Sequence, residues 1–293
     1  MLKNAIIYTY YKFTQKYHID WRYVVMIYDL QKASMWKRIS AFLCDIILFC
    51  IVAVGIALLL STVLGIDAQQ EKMATACSRY AEEYALDAFL TEEELDGVLT
   101  FSVAEERWNT LTGEQREIFK QAKDALESDK DYLHANAMVN ELILLVITFS
   151  VLIATLLVEF FVPLFFKNGQ TLGKKIFGVG VMRIDGVKIS PVILFVRTVL
   201  GKYAVETMIP IFVFISLILD TASIVTLALL LLLIVAQIAL LIFTQANTPL
   251  HDMLAGTVTV DFASQMIFDT PEELLEYKQR LHAESLAEKQ QNS

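Results

Sequence analysis

The chain has 293 residues, 56% of them hydrophobic, a formal net charge of -9 and a mean hydropathy of +0.52. Soluble domains hold about 45–50% apolar residues, so the composition is that of a membrane chain. The charge is uneven: residues 67–138 carry 17 acids against seven Lys and Arg, while the rest is nearly neutral, which offers no basic surface to nucleic acid and indicates no acidic substrate.

Residues 1–38 mix Tyr, Trp, Lys and apolar positions. That mix suits a helix lying at the headgroup level, or a soluble tail packed on the core. The Ala5-Ile6-Ile7 stretch is broken by Tyr8, Tyr10, Tyr11 and Lys12 before an apolar core develops, so no cleaved signal peptide is expected. Ile39–Leu64 is the first run with the roughly 20 apolar residues that a crossing helix needs, placing a span at 39–66. Residues 67–138 then read as an acidic helical insertion, with a capping box at Thr91-x-x-Glu94 and a second helix over Thr112–Ser128. The insertion is either a solvated, neutral elaboration or a docking surface for a protein partner outside the membrane.

Leu142–Phe166 is the second apolar run. Val179–Ile184 and Val187–Ser190 alternate around Asp185-Gly186 and predict a β-hairpin, to which Thr257–Val260 could add a third strand. Pro191–Leu219 reads as a crossing helix kinked at Pro210. Its alternative is an interfacial helix over 191–207 followed by Ile209–Leu219, too short to cross alone. Ile224–Phe243 is the fourth run, and 263–293 form a tail. Basic residues flank the first span (Arg22, Lys32, Lys37, Arg38) and lie between the second and third (Lys167, Lys174, Lys175, Arg183, Lys188). Retention of Lys and Arg on the inner side puts both regions, and with an even span count both termini, in the cytoplasm.

The predicted fold is therefore an all-α transmembrane bundle of four spans, with a small cytoplasmic β-hairpin and an extracytoplasmic helical insertion. Residues 36–66 and 139–262 form its core. The lipid bilayer is its first partner, and a homodimer is the expected second, because four spans are few for a complete transport path.

Ionisable residues inside spans are costly and tend to be functional. Asp45 lies about 10 Å along a helix from Arg38, Glu159 about 12 Å from Lys167, and Glu206 about 13 Å from Arg197, at 1.5 Å per residue. Three carboxylates thus fall in one layer of the inner half-membrane, as candidates for binding a monovalent cation or exchanging a proton. Arg38, Arg197 and Lys202 are their candidate charge partners. Arg38, Ala41 and Asp45 share one helix face, and the small Ala41 leaves room for a neighbouring helix. The plainer alternative is that Arg38–Asp45 and Lys202–Glu206 are structural pairs. Asp252 reads as a turn residue, a cap or a partner of Arg197 rather than a member of the buried set. Cys44, Cys50 and Cys77 have neither zinc-site spacing nor the count of a disulfide framework. Gly169-x-x-x-Gly173-Lys174-Lys175 lacks the spacing and the Ser or Thr of a phosphate loop. His251 has no nucleophile at recognisable spacing, so no enzyme and no cofactor are expected.

Three signatures border the apolar runs: Arg38-x-x-Ala41-x-x-x-Asp45, Asn168-Gly169-Gln170-Thr171-Leu172-Gly173-Lys174-Lys175, and His251-Asp252-Met253-Leu254-Ala255-Gly256-Thr257. Together and in this order they resemble the RDD family of bacterial membrane proteins, named for one arginine and two aspartates. The resemblance carries over to Arg38, Asp45, Gly169, Gln170, Thr171, Gly173, Lys174, His251, Asp252 and Gly256. It implies an integral protein of the bacterial plasma membrane, and cation/proton antiport as described for some members. A non-transporting accessory or assembly subunit is the rival reading. The chain departs from the family in its long insertion and in the spacing around Lys202 and Glu206.

Overall fold

The computed structural model describes residues 30–91, 99–218, 221–244 and 246–291. Glu94 of the Thr91–Glu94 capping box and most of the N-terminal interfacial segment lie outside those residues. Among the described residues, four helices are long and apolar enough to cross a membrane. They are α1 (Met35–Leu64), α5 (Lys130–Phe166), α7 (Pro191–Leu217) and α8 (Ile224–Phe243). Pro191–Leu217 is one continuous helix. Between α1 and α5 lie α2 (Ile66–Glu83), α3 (Glu105–Thr110) and α4 (Gly113–Ser128).

The chain divides into two compact units, Leu48–Ala154 and the remainder. In the first, Leu86, Phe101, Phe119, Ala122, Leu126 and Tyr132 build a hydrophobic core. Gln115 N–H donates to Thr112 Oγ1 (3.3 Å) and Thr112 N–H to Gln115 Oε1 (2.9 Å), a reciprocal cap that starts α4. The Asp129 carboxylate accepts the Tyr132 N–H at 2.8 Å at the start of α5 and also bonds Arg79 and Tyr80. The Tyr132 amide and the two side chains hold this carboxyl below the usual range.

The second unit contains α6 (Leu172–Ile176), β1 (Val179–Arg183), α9 (Leu250–Ala255), β2 (Thr257–Asp261) and α10 (Pro271–Gln291). The strands pair antiparallel from Val179↔Asp261 to Arg183↔Thr257. The sheet thus differs from the predicted hairpin, in which 187–190 was the partner arm. That arm meets β1 in one described bridge, Met182↔Lys188, and bridges Phe268 through Val187, because it ends at Ser190, whose hydroxyl accepts the Ile193 N–H to start α7. The β-branched run at 257–261 supplies five paired residues instead. Its alternation sends Val258 and Val260 onto Met182, and Thr257 and Thr259 toward Asp252. On the other edge of β2, Asp261 N–H donates to the Gln31 carbonyl at 2.8 Å. Leu274 and Tyr277 of α10 pack with Phe268 and Val187.

Two of the long helices leave the α-helical register. Leu156–Phe161 of α5 and Val196–Thr207 of α7 are π-helical, a form used sparingly in proteins and concentrated at functional sites. Val162 N–H bonds the Leu157 carbonyl and Met208 N–H the Tyr203 carbonyl, each five residues back. A cause is visible in the sequence. Pro163 and Pro210 each stand four residues after a glutamate, Glu159 and Glu206, and a proline offers no N–H to the carbonyl four residues back. The Glu159 carbonyl accepts the Thr198 hydroxyl at 3.0 Å instead.

Candidate functional site: a buried charge cluster

Arg38 and Asp45 come from the start of α1, and Glu159 from the π turns of α5. Lys174 stands on α6; Arg197, Lys202 and Glu206 lie on the π turns of α7; His251 and Asp252 are on α9. All nine line one cavity of about 430 Å³. The register of α7 makes this grouping possible. On a 3.6-residue helix, nine positions are about two and a half turns, which would put Arg197 and Glu206 on opposite faces. The wider i→i+5 ladder brings positions four to five apart into line, and Arg197, Lys202 and Glu206 follow that spacing.

Asp45 is buried, at 5% exposure. It accepts the Gly173 N–H at 2.7 Å and the Thr171 hydroxyl, so that a carboxylate from α1 caps the first turn of α6. Gly173 is required by this closeness: a Cβ there would lie 2.4 Å from the Ala41 carbonyl oxygen and 2.8 Å from Asp45 Oδ1. Arg38 does not pair with Asp45. Its guanidinium donates to the carbonyls of Asn247 (2.9 Å), Ala246 (3.3 Å) and Thr259 (2.6 Å), tying α1 to the chain around α9 and β2.

Nor do Lys202 and Glu206 pair with each other. Lys202 Nζ reaches across to Glu159 Oε1 at 2.6 Å, and Glu206 is taken by α9. The Glu206 carboxylate accepts the His251 backbone N–H at 2.9 Å and faces Nδ1 of the ring at 2.7 Å. Lys174 Nζ stands 3.9 Å from Asp45 Oδ2 and 3.9 Å from Glu159 Oε2, between the two acids.

Asp252 is a member of the cluster as well as the partner of Arg197, which corrects the expectation that it lies apart. Arg197 Nε donates to Asp252 Oδ1 at 2.7 Å, and the residues are 1% and 0% exposed. Thr257 and Thr259 hydroxyls complete the carboxylate at 2.6 and 3.0 Å. Of the other motif residues, Gly169 lies in the turn before α6, and Gln170 Nε2 donates to the Val179 carbonyl at 2.8 Å, joining that turn to β1. Gly256 ends α9 in the left-handed conformation at φ 62°.

Charge in the cavity balances, with four acids against Arg38, Lys174, Arg197 and Lys202. Outside the spans, burial works to raise the Asp252 carboxyl, and the Arg197 guanidinium overrides it and holds the group well below the usual range. Burial, then the nearby Lys202 ammonium, push Lys174 down to about 8. An unfolded chain would hold that proton up to about 10.5, so folding releases it between those values. Stability should therefore rise as pH is raised from about 8 to about 10.5. Melting temperatures of the detergent-solubilised protein across that interval test this, and Lys174→Met should flatten the rise.

A second close approach in the site lies between α7 and α9. A Cβ on Gly201 would sit 2.6 Å from His251 Cβ and 2.7 Å from its Cα, so neither backbone can yield without parting the helices. Gly201→Ala is expected to cost about 1–3 kcal/mol by overpacking, read as a lowered melting temperature and a reduced folded yield.

Sequence reasoning did not name Lys174 and His251 as the groups that bridge Asp45 to Glu159 and hold Glu206. The repeated Glu-x-x-x-Pro spacing was the available signal for the altered helix register.

Membrane-length helices enclosing a charge-balanced cavity define a polytopic membrane protein with an ionic interior. The RDD family model matches residues 32–256, and the chain belongs to the RDD family of membrane proteins. A search of curated proteins and a search of solved structures found no match.

Proposed function

We propose that this RDD-family protein moves a monovalent cation across the plasma membrane in exchange for protons, by way of the charge-lined cavity. The observation that carries the reading is the Lys174 ammonium, held 3.9 Å from one oxygen of Asp45 and one of Glu159. A buried single positive charge between two carboxylates occupies the place a sodium-sized cation would take. Glu159 Oε2 accepts no hydrogen bond among the described residues, and a buried carboxylate oxygen left in that state gains from a cation. The Thr171 hydroxyl beside Asp45 adds an uncharged oxygen of the kind hard cations accept. No catalytic step is part of the reading, since His251 is engaged by Glu206 and Arg197.

Uptake of labelled sodium into vesicles carrying the purified chain, under an inside-acid pH gradient, tests this. Uptake above that of empty vesicles is expected; equal uptake, with insertion verified, overturns it.

A second reading has one observation in its favour. Residues 48–154 have a hydrophobic core of their own, as a docking module would, and an accessory subunit could use that unit to hold a partner. Both readings place residues 67–138 outside the cell and both termini in the cytoplasm, by the distribution of basic residues. Cysteine introduced at Glu93 is expected to react with an impermeant thiol reagent applied to intact cells, and cysteine at Glu284 is not. Labelling in the reverse pattern would invert the orientation.

A further inference from the structure

His251 is held by two groups whose needs fix its proton. Arg197 Nη2 lies 3.1 Å from Nε2. A guanidinium only donates, so Nε2 carries its lone pair toward Arg197. The single ring N–H is then on Nδ1 and donates to Glu206 at 2.7 Å. The ring is neutral in this arrangement, and Nε2 is the one atom that can take up a proton.

We propose that Nε2 of His251 is the proton-binding site of the exchange, a reading that rests on the transport function proposed above. When Nε2 takes up a proton, its new N–H opposes the Arg197 N–H, and two donors cannot share one contact. Asp252 Oδ2, 3.8 Å from Nε2, is the acceptor that the new donor can turn to. No covalent bond changes other than the N–H formed, and the Arg197–ring hydrogen bond is lost.

The change cannot stay local. The ring's partners Arg197 and Glu206 stand on the π turns of α7, and the backbones of α7 and α9 approach closely at Gly201, so a change of ring partner acts on the turns that also carry Lys202. Lys202 in turn holds Glu159, one of the two acids flanking Lys174. Proton uptake also adds one positive charge to a cavity whose fixed charges balance, which disfavours a second cation there. Proton and cation therefore exclude each other although they bind at different groups.

The groups facing the ring are Arg197, Lys202 and Glu206 of α7 and Asp252 of α9 itself. Gln237 of α8, Thr257 and Thr259 of β2, Glu159 of α5 and Arg38 of α1 line the same cavity or its rim. Burial lowers the affinity of the ring for a proton; Asp252 and Glu206 oppose that effect, Arg197 and Lys202 add to it, and the outcome is a value below the ordinary one.

The test is sodium-driven flux through the full chain in vesicles, recorded from about pH 5 to 8, the range in which histidine titrates. The wild type should show an inflection below about pH 6.5. His251→Gln keeps a side-chain N–H for Glu206 but binds no proton, and should lose the inflection. Glu206→Gln removes the charge that favours the protonated ring, and should move the inflection to lower pH. If His251→Gln does not fold, Glu206→Gln decides the matter. An inflection unchanged in either variant overturns the proposal while leaving the exchange reading intact. A wild type that moves no sodium at any pH overturns both.

Discussion

Asp252→Asn is expected to remove most of the folded protein from detergent extracts, with flux per surviving molecule reduced less than yield. Asp252 is fully buried and answers a buried arginine. Breaking such a pair by removing one partner costs about 3–5 kcal/mol, because the remaining charge stays in the interior without compensation. The asparagine oxygen can still accept from Arg197 Nε, but the guanidinium loses the negative charge that answers it, and the Thr257 and Thr259 hydroxyls lose a charged acceptor. Replacing both partners, as Arg197→Met with Asp252→Leu, should recover part of the yield, since a well-packed apolar pair leaves no orphaned charge. Size-exclusion profiles of the three variants beside the wild type measure this. Equal yield in Asp252→Asn and wild type would show that the pair carries little of the fold.

Asp45→Asn should behave in the opposite way. The amide oxygen still accepts the Gly173 N–H, and the amide nitrogen donates to Thr171 Oγ1, so the cap on α6 survives. The negative charge opposite Lys174 does not. Membrane expression is therefore expected to hold while sodium-coupled flux falls to the background of empty vesicles. An active Asp45→Asn protein would make the buried acid structural. A poorly expressed one would show that the charge, and not the hydrogen-bond geometry, holds α6 in place.

The four long apolar runs were legible because bilayer crossing demands length and hydrophobicity, and both are read directly from the residues. The helix over 112–128 was equally open, although the Thr112–Gln115 box that caps it was not among the motifs read. The sheet was half legible. Val179–Arg183 and Thr257–Asp261 each alternate as strands should, but their pairing joins positions some 80 residues apart, and the tight Asp185-Gly186 turn favoured the nearer arm.

The cluster divides in the same manner. Depth along a helix, which is a matter of counting, placed Asp45, Glu159 and Glu206 near one level. Partner choice was hidden. Lys202 bonds Glu159 rather than Glu206, and Arg38 bonds carbonyls rather than Asp45, because these contacts depend on which helices are neighbours. The π register of α7 was missed for a different reason. Periodicity arguments assume 3.6 residues per turn, and by that count Arg197 and Glu206 point apart.

The most direct measurement of the central claim is the lumenal pH of vesicles that carry the purified chain when sodium is added outside. Exchange through the cluster predicts that the lumen becomes more alkaline as sodium enters and protons leave, with no such change in vesicles carrying Asp45→Asn. A lumenal pH that stays constant after sodium addition, in vesicles where the wild-type chain is correctly inserted, would contradict the account.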